Sequence, residues 1–333
     1  MKFDSCRITI SEFVTRRNES KKLFTAGPSS LLEENITGLM PCFGRGDDEY
    51  LSMEAGVLKE LTKMSGHKFI ARMQGSGSLA LEVAARNFLS GRILIISTGT
   101  YSDRLMQLAE SSARQGRVIK SIDTINWTEL GSHQGHYDWV WGCPTETSVG
   151  LKQPISFIAD FAKRCGARVM LDATASIGLE EDHNLADVIS YSSCKGLFGL
   201  TGASFIAFNE MPTNEVDSFY LNIHNHLEKK MTGPYHAIAS LSDVLPIHSE
   251  IRESVVINKS SFLKKMADFL TFDEERQPLL CTHVTCEVFS EDKSVVLYKA
   301  RNSLGGSIVC HIGEAHLGRF AEAKILNTLK YNV

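Results

Sequence analysis

A single lysine lies between two apolar segments that are predicted to be strands, over residues 187–191 and 204–208. Lys195 follows the first segment, among small residues and glycines that let a ligand approach the backbone closely. A lysine amine that has lost its proton is a nucleophile toward carbonyl groups. The sequence leaves two interpretations open, a side chain that extends from a loop into water or a nucleophile at the edge of a sheet.

Two more residues follow predicted strands. Asp172 ends the apolar segment 168–171, where a carboxylate is costly to bury without a partner. It could cap a helix or accept a buried hydrogen bond, or it could pair with a protonated ring nitrogen. Tyr101 follows the segment 92–97, where its ring could cover a planar ligand or be an ordinary half-buried tyrosine.

A short glycine–serine run lies between a predicted strand and a predicted helix, at Gly75, Ser76, Gly77 and Ser78. Backbone N–H groups and hydroxyls in such a place can bind a phosphate, although a plain helix-capping turn has the same composition. The run has neither the GxGxxG nor the Walker A pattern. A phosphate cradle, a stacking ring, a strand-end carboxylate and a strand-end lysine together indicate bound pyridoxal 5′-phosphate.

These residues require a sheet that brings strand ends together. Strands are predicted at 69–74, 92–97, 118–122, 138–142 and 168–171, and helices at 51–64, 79–89, 103–114 and 155–165. The acidic residues Asp47 and Asp48 suit the N-terminus of the first helix. Alternating short apolar strands and helices predict an α/β fold with a mainly parallel sheet, whose ligands gather at the carboxyl ends of the strands.

Composition limits the classes of function. The 333 residues predict two domains, a large one at 21–240 and a small α/β domain at 241–333, after an N-terminal extension at 1–20. A net charge of −4 without a basic block argues against nucleic-acid binding. No apolar run reaches the about 18 residues of a membrane span, and the first residues lack the apolar centre of a signal peptide. The eight scattered cysteines form no CxxC pair, which predicts reduced thiols and a cytoplasmic location.

Seven sequence motifs carry a resemblance to a known family. They are TAGP at 25–28, DDEY at 47–50, MQGSGS at 73–78, ISTGTY at 96–101, TETSVG at 145–150, DATASIG at 172–178 and SSCK at 192–195. Through them the chain resembles the class V, fold-type I pyridoxal-phosphate aminotransferases. The resemblance runs over residues 23–313, and the QGSGS run with the DDEY cluster favours the 2-aminoethylphosphonate–pyruvate branch over alanine–glyoxylate relatives. It implies a large domain with a mainly parallel sheet of the seven-stranded type and a small α/β C-terminal domain.

The resemblance also implies a role for each matching residue. Lys195 would hold the cofactor covalently and then move the substrate proton, while Asp172 would hold the proton of the ring nitrogen. The other implied contacts are the cofactor phosphate for Ser76, Gly77 and Ser78, the ring for Tyr101, the ring 3-oxygen for Thr147, and the phosphate of a neighbouring subunit for Thr232. A homodimer with shared active sites, acting in turn on a small amine and a 2-oxo acid, is therefore implied.

One position departs from the family. Its members carry an arginine that binds the substrate carboxylate, whereas the matching run VCHIG at 309–313 has His311 there. Histidine cannot reproduce the bidentate contact of a guanidinium group, so another cation such as Arg45 or Arg301 could bind the substrate. Gly27 is a further candidate for substrate contact, and His311 could instead be a core histidine.

Several functions remain open at this stage. The leading hypothesis is a transaminase that moves the amino group between 2-aminoethylphosphonate, or a related phosphonate or small amine, and a 2-oxo acid such as pyruvate. A pyridoxal-phosphate lyase acting on an aminophosphonate or amino acid is one alternative. An aminotransferase of the alanine–glyoxylate or serine–pyruvate type is another, and a catalytically idle cofactor-binding protein is a third.

Overall fold

The structure is a computed structural model that describes residues 8–39, 43–44, 46–116, 118–301, 304–319 and 321–332. Its α-helices are α1 (Ile10–Ser20), α2 (Glu33–Thr37), α3 (Asp48–Ser65), α4 (Gly77–Phe88), α5 (Thr100–Gln115), α6 (Ile155–Cys165), α7 (Ile223–Leu227), α8 (Tyr235–Val244), α9 (His248–Lys265) and α10 (Glu322–Thr328). Its strands are β1 (Lys22–Phe24), β2 (Phe69–Gln74), β3 (Gly91–Ser97), β4 (Ile119–Asn126), β5 (Trp139–Gly142), β6 (Thr145–Glu146), β7 (Leu151–Lys152), β8 (Arg168–Asp172), β9 (Val188–Ser192), β10 (Ala203–Phe208), β11 (Cys281–Val284), β12 (Glu287–Phe289), β13 (Val295–Leu297), β14 (Ser307–Cys310) and β15 (Lys330–Asn332). Among the helices described, not one combines the length and apolar character that crossing a bilayer requires.

Seven of these strands form one large sheet, in the order β2-β10-β9-β8-β5-β3-β4. The pairs from β9 through to β4 are all parallel, whereas β10 is antiparallel to both of its neighbours. Because β10 alone runs in the opposite direction, the other six strands end at the same edge. The mainly parallel sheet predicted from the sequence is confirmed, and its carboxyl edge is where a site is expected.

Helices cover both faces of this sheet. Along β5, Trp139 and Trp141 point into one apolar core and Val140 into the other, as the alternation of side chains along a strand requires. Helices α4 and α5 pack on the tryptophan side, and α3, α6 and α8 pack on the opposite side. Burial on both faces explains why these strands are almost continuously apolar in sequence.

Local sequence sets the helix ends that were predicted. The Asp47 carboxylate accepts the N–H of Glu49 at 2.9 Å and so caps α3, which confirms the interpretation of the acidic cluster as a helix start. Helix α6 covers Ile155–Cys165 as predicted. It ends at Gly166, whose φ of +68° is a left-handed conformation that glycine adopts without strain.

The domain boundaries differ from those expected. Strand β1 pairs in parallel with β13, so residues 22–24 join the C-terminal part of the chain and not the large domain. The boundary expected after residue 240 falls inside α8, because the apolar face of that helix continues to Val244. Within the described part of the N-terminal extension, α1 is fixed by Asn18, whose side chain exchanges two hydrogen bonds with the backbone of Leu31.

Candidate active site

A cavity of about 520 Å³ lies at the carboxyl edge of the large sheet. Its walls come from the segments that follow β2, β3, β5, β8 and β9, together with residues beside β10 and one residue after β13. Seven of the predicted site residues line this one cavity, namely Ser76, Gly77, Ser78, Tyr101, Thr147, Asp172 and Lys195. The size is typical of small-molecule sites.

Lys195 enters the cavity from the turn between β9 and β10. Its side chain is half-buried, and its Nζ lies 5.5 Å from the centroid of the Tyr101 ring. Gly27 does not line the cavity but borders this lysine, because a Cβ added at Gly27 would lie only 2.9 Å from Lys195 Cγ. The amine of Lys195 therefore lies in a cavity beside an aromatic ring, which favours the interpretation of a nucleophile at the edge of the sheet.

Asp172 is the last residue of β8 and is 5% exposed. One carboxylate oxygen accepts the backbone N–H of Thr174 at 3.0 Å, which is the buried hydrogen bond that the sequence allowed. Among the residues described, no lysine, arginine or histidine forms an ion pair with it. A buried carboxylate without a cation is costly, so this site suits a ligand that brings a protonated nitrogen.

The glycine–serine run forms the start of α4. Ser76 is the N-cap residue, yet its hydroxyl makes no capping hydrogen bond and is free to contact a ligand. The packing is close here, since a Cβ at Gly77 would lie 2.8 Å from the Thr174 hydroxyl oxygen. The Ser78 hydroxyl accepts a hydrogen bond from Nη1 of Arg104 at 3.0 Å, which adds a positive charge to an anion-binding helix start.

Glu146 fixes the segment that carries the Tyr101 ring. This carboxylate is fully buried and accepts the backbone N–H groups of Tyr101 and Ser102, each at 3.1 Å, and that of Ser148 at 3.2 Å. Burial raises the pKa of Glu146 above its usual range, and these hydrogen bonds act against that rise. Glu146 therefore fastens the N-terminus of α5 to the β6–β7 hairpin and sets the position of Tyr101.

Several buried hydroxyl groups in the cavity wall lack partners among the described residues. They belong to Thr145, Thr147 and Thr174. The Tyr298 hydroxyl is also unpartnered, and burial together with the nearby Tyr101 raises its pKa. Buried donors without partners are costly in a protein alone. Together with Asp172 and the helix start, they fit a polar planar ligand that carries a phosphate group.

Two predicted substrate or cofactor contacts lie outside this cavity, and a third is not among the described residues. His311 is buried outside the cavity, with its Nε2 2.9 Å from the Thr282 hydroxyl and its ring against Phe262. Burial holds its pKa well below the usual range, so it is a neutral core histidine and does not bind the substrate carboxylate within this chain. Thr232 is exposed and does not line its own chain's cavity, and Arg45 lies outside the described residues.

Two residues with clear roles in the geometry were given none from the sequence. Arg104 follows Tyr101 by one turn of α5, a spacing that places both side chains on one helix face and could have indicated it. Glu146 looks like an ordinary loop carboxylate in the sequence, because two of its three backbone donors, Tyr101 and Ser102, come from a distant segment. Arg301, which was only one of two alternative cations, does line the cavity.

The comparisons with known proteins agree with this geometry, although no family model matches the sequence. The 2-aminoethylphosphonate–pyruvate transaminase of Pseudomonas aeruginosa is 25% identical over 252 residues, which cover 68% of each chain. The protein of the same name from Vibrio cholerae is 26% identical over 250 residues, covering 67% of this chain and 68% of that one. The chain is a relative of the class V, fold-type I aminotransferases.

Solved structures support the fold. The alanine–glyoxylate aminotransferase of Nostoc sp. matches with a TM-score of 0.77 at 17% identity, covering 98% of this chain and 96% of that one. An aspartate aminotransferase of Thermus thermophilus matches with a TM-score of 0.77 at 16% identity, covering 92% and 97%. The fold class, the enzyme class of pyridoxal-phosphate-dependent aminotransferase and the cofactor predicted from the motifs are confirmed.

Proposed function

We propose that this protein transfers the amino group of 2-aminoethylphosphonate, or of a related phosphonate or small amine, to a 2-oxo acid such as pyruvate. The observation that carries the proposal is that Lys195 and Asp172 share one cavity with the Tyr101 ring. The curated relatives named for this reaction support it. Arg301 in the same cavity supplies a positive charge for an oxo acid, so nothing favours the one-substrate lyase considered from the sequence.

The residues present fit pyridoxal 5′-phosphate. The N-terminus of α4 with Ser76, Gly77 and Ser78 would hold its phosphate, and Asp172 would accept the hydrogen bond of its ring nitrogen. Tyr101 would lie against its ring, and the unpartnered Thr147 hydroxyl would donate to its ring oxygen. When bound, this cofactor supplies an electron sink for negative charge at the carbon that carries the substrate nitrogen.

The chain's own residues then act on the substrate proton. Lys195 would hold the cofactor through its amine, and the same amine, when free in the cavity, would serve as the base. It would remove a proton from the carbon of the amine substrate that carries the nitrogen. In the second half-reaction it would return a proton to the corresponding carbon of the oxo acid. Tyr101 would cover one side of this region, and its backbone N–H is held by the Glu146 carboxylate.

The protein is proposed to act as a cytoplasmic homodimer with shared active sites. Thr232 supports this arrangement, because it is exposed, does not line its own chain's cavity and would need a second copy to meet a cofactor. The ring of Tyr235, three residues further on, packs against Tyr50 of α3 with the ring centroids 4.3 Å apart and the ring planes tilted by 44°. The cytoplasmic location rests on the scattered cysteines, of which the six in the described residues are free thiols.

The visible absorbance spectrum of purified protein tests the proposal. A yellow protein that bleaches on addition of 2-aminoethylphosphonate without an oxo acid, and regains its colour with pyruvate, would support it. A yellow protein that ignores the phosphonate would refute the proposed donor. Release of ammonia without an oxo acid would indicate a lyase instead.

A matched pair of variants tests the residue assigned to the chemistry. Lys195→Ala removes both the attachment point and the base, so turnover should fall below detection. Cys194→Ser changes the neighbouring cavity residue and keeps the amine, so it should retain the yellow colour and the half-reaction. Retained turnover in Lys195→Ala would refute the role of the lysine.

A further inference from the structure

One guanidinium group in the cavity wall has no polar partner. Arg301 follows β13 by four residues, is exposed, and lines the same cavity as Lys195. Among the residues described it forms neither an ion pair nor a hydrogen bond, and its one described contact is with the Tyr101 ring, 5.9 Å from Cζ to the centroid. An arginine with its donors free at a cavity wall is available to bind an anion.

The second arginine beside the Tyr101 ring already has a hydrogen-bond partner. Arg104 lies over Tyr101 at 5.2 Å and donates to the Ser78 hydroxyl at 3.0 Å, which ties it to the helix start that suits the cofactor phosphate. The two arginines therefore differ in their contacts. Arg104 belongs to the N-terminus of α4 that suits the cofactor phosphate, and Arg301 is left to bind the substrate.

Lys195 and Arg301 approach the same aromatic ring. The lysine amine is 5.5 Å from its centroid and the Arg301 guanidinium carbon is 5.9 Å from it. A small molecule that presents a primary amine to the lysine and an anion to the arginine would therefore lie beside this ring. Two carbons separate the amine and the phosphonate in 2-aminoethylphosphonate, which suits such a compact site.

We infer that Arg301 binds the anionic group of the amine substrate and so determines the specificity of the enzyme for short amines that carry a phosphonate. This deepens the proposed function and rests on it. A guanidinium group can donate two parallel hydrogen bonds to a phosphonate, and a phosphonate carries more negative charge than a carboxylate. His311, which lies outside the cavity, takes no part in this contact.

Binding of ethylphosphonate, which has the anion and lacks the amine, tests the inference without catalysis. Calorimetric titration of the holoenzyme should show saturable binding that Arg301→Gln weakens on the order of 10- to 100-fold. Because the site is open to solvent, affinity should also fall with added salt. The matched control is Lys299→Gln, which removes an equal charge from an exposed neighbour outside the cavity and should leave the affinity within about twofold.

The half-reaction supplies a second readout. For 2-aminoethylphosphonate, Arg301→Gln should lower the second-order rate constant of bleaching by a similar factor, and Arg301→Lys should restore part of it. For ethylamine, which has no anion, the rate constant should not change. Wild-type affinity for ethylphosphonate in Arg301→Gln, or no measurable binding by the wild type, would overturn the inference. A wild-type protein that takes up no cofactor would refute the proposed function, whereas a normal half-reaction with unchanged ethylphosphonate affinity in Arg301→Gln would refute only the role of Arg301.

Discussion

The buried carboxylate of Glu54 links three segments that support the active site. It accepts hydrogen bonds from Nε of Arg72 at 2.7 Å and from the Tyr50 hydroxyl at 3.0 Å, and it is also paired with Lys229. Glu54 is fully buried and Arg72 is 5% exposed. Arg72 lies on β2 three residues before Gly75, so the same cluster supports the strand that leads into the glycine–serine run.

Glu54→Gln should therefore destabilise the protein strongly. The substitution keeps the shape and removes the charge, which leaves the Arg72 guanidinium buried without a counter-ion, a change that costs about 3–5 kcal/mol. Glu60→Gln is the matched control, because Glu60 lies on the same helix and pairs with Lys63 at the surface. Its side chain is 49% exposed, so the control should cost less than about 1 kcal/mol.

Urea unfolding of the two variants and the wild type, followed by far-ultraviolet circular dichroism, measures the difference. The Glu54→Gln midpoint should be clearly lower than that of Glu60→Gln. Adding Arg72→Met to Glu54→Gln should recover much of the loss, since the unpaired buried charge is then gone and Lys229, being 43% exposed, can turn to water. Equal midpoints for Glu54→Gln and Glu60→Gln would refute the reasoning.

The pH dependence gives an independent check on the same cluster. Burial alone would raise the pKa of Glu54, but Lys229 and Arg72 outweigh it and hold that pKa below its usual range. A lowered carboxyl pKa contributes stability above the unfolded-state pKa, and this contribution is lost as the pH falls through the folded-state pKa. The difference in the free energy of unfolding between the wild type and Glu54→Gln should thus be largest near pH 7 and should decrease in acid.

Three other substitutions, one of them with a matched control, have defined outcomes. Gly27→Ala should lower cofactor retention on gel filtration, because its Cβ would meet Lys195, whereas Gly318→Ala, with a positive φ and no neighbour within 4 Å, should cost stability only. Glu314→Gln should raise the unfolding midpoint at pH 8 and not at pH 4. Burial raises the pKa of Glu314 to about 7, so the protonated carboxyl group is favoured in the folded protein. This stabilising contribution, about 3 kcal/mol in all, is lost as the pH rises through that pKa. Arg104→Gln should increase the dissociation constant for pyridoxal phosphate, measured by absorbance titration, on the order of 10-fold, and an unchanged constant would contradict its place at the cradle.

The sequence predicted most of what depends on local pattern. Asp172 and Lys195 could be found because each is a charged residue at or just beyond the end of an apolar strand, and parallel strands end at one edge. Helix α6 was predicted to its last residue because its apolar spacing and the following glycine agree. The cradle and Tyr101 were located by the same combination of a strand end and a helix start.

What the sequence did not predict depends on contacts between distant segments. Glu146 and Arg104 acquire their roles only when the β6–β7 hairpin meets the start of α5 and α5 meets α4. His311 matches a family arginine in the linear alignment, yet it lies against Phe262 and Thr282 in the C-terminal core. The pairing of residues 22–24 with β13 joins segments that are far apart in sequence, so no local sequence pattern predicts it.

That pairing has a mechanical consequence. The ladder of β1 and β13 is extended by a hydrogen bond from the N–H of Tyr298 to the carbonyl of Phe24, at 3.0 Å. Gly27, which touches the lysine, follows one strand by three residues, and Arg301 follows the other by four. A displacement of one segment would therefore be transmitted to the other, so the glycine beside Lys195 and the arginine in the cavity wall would move together.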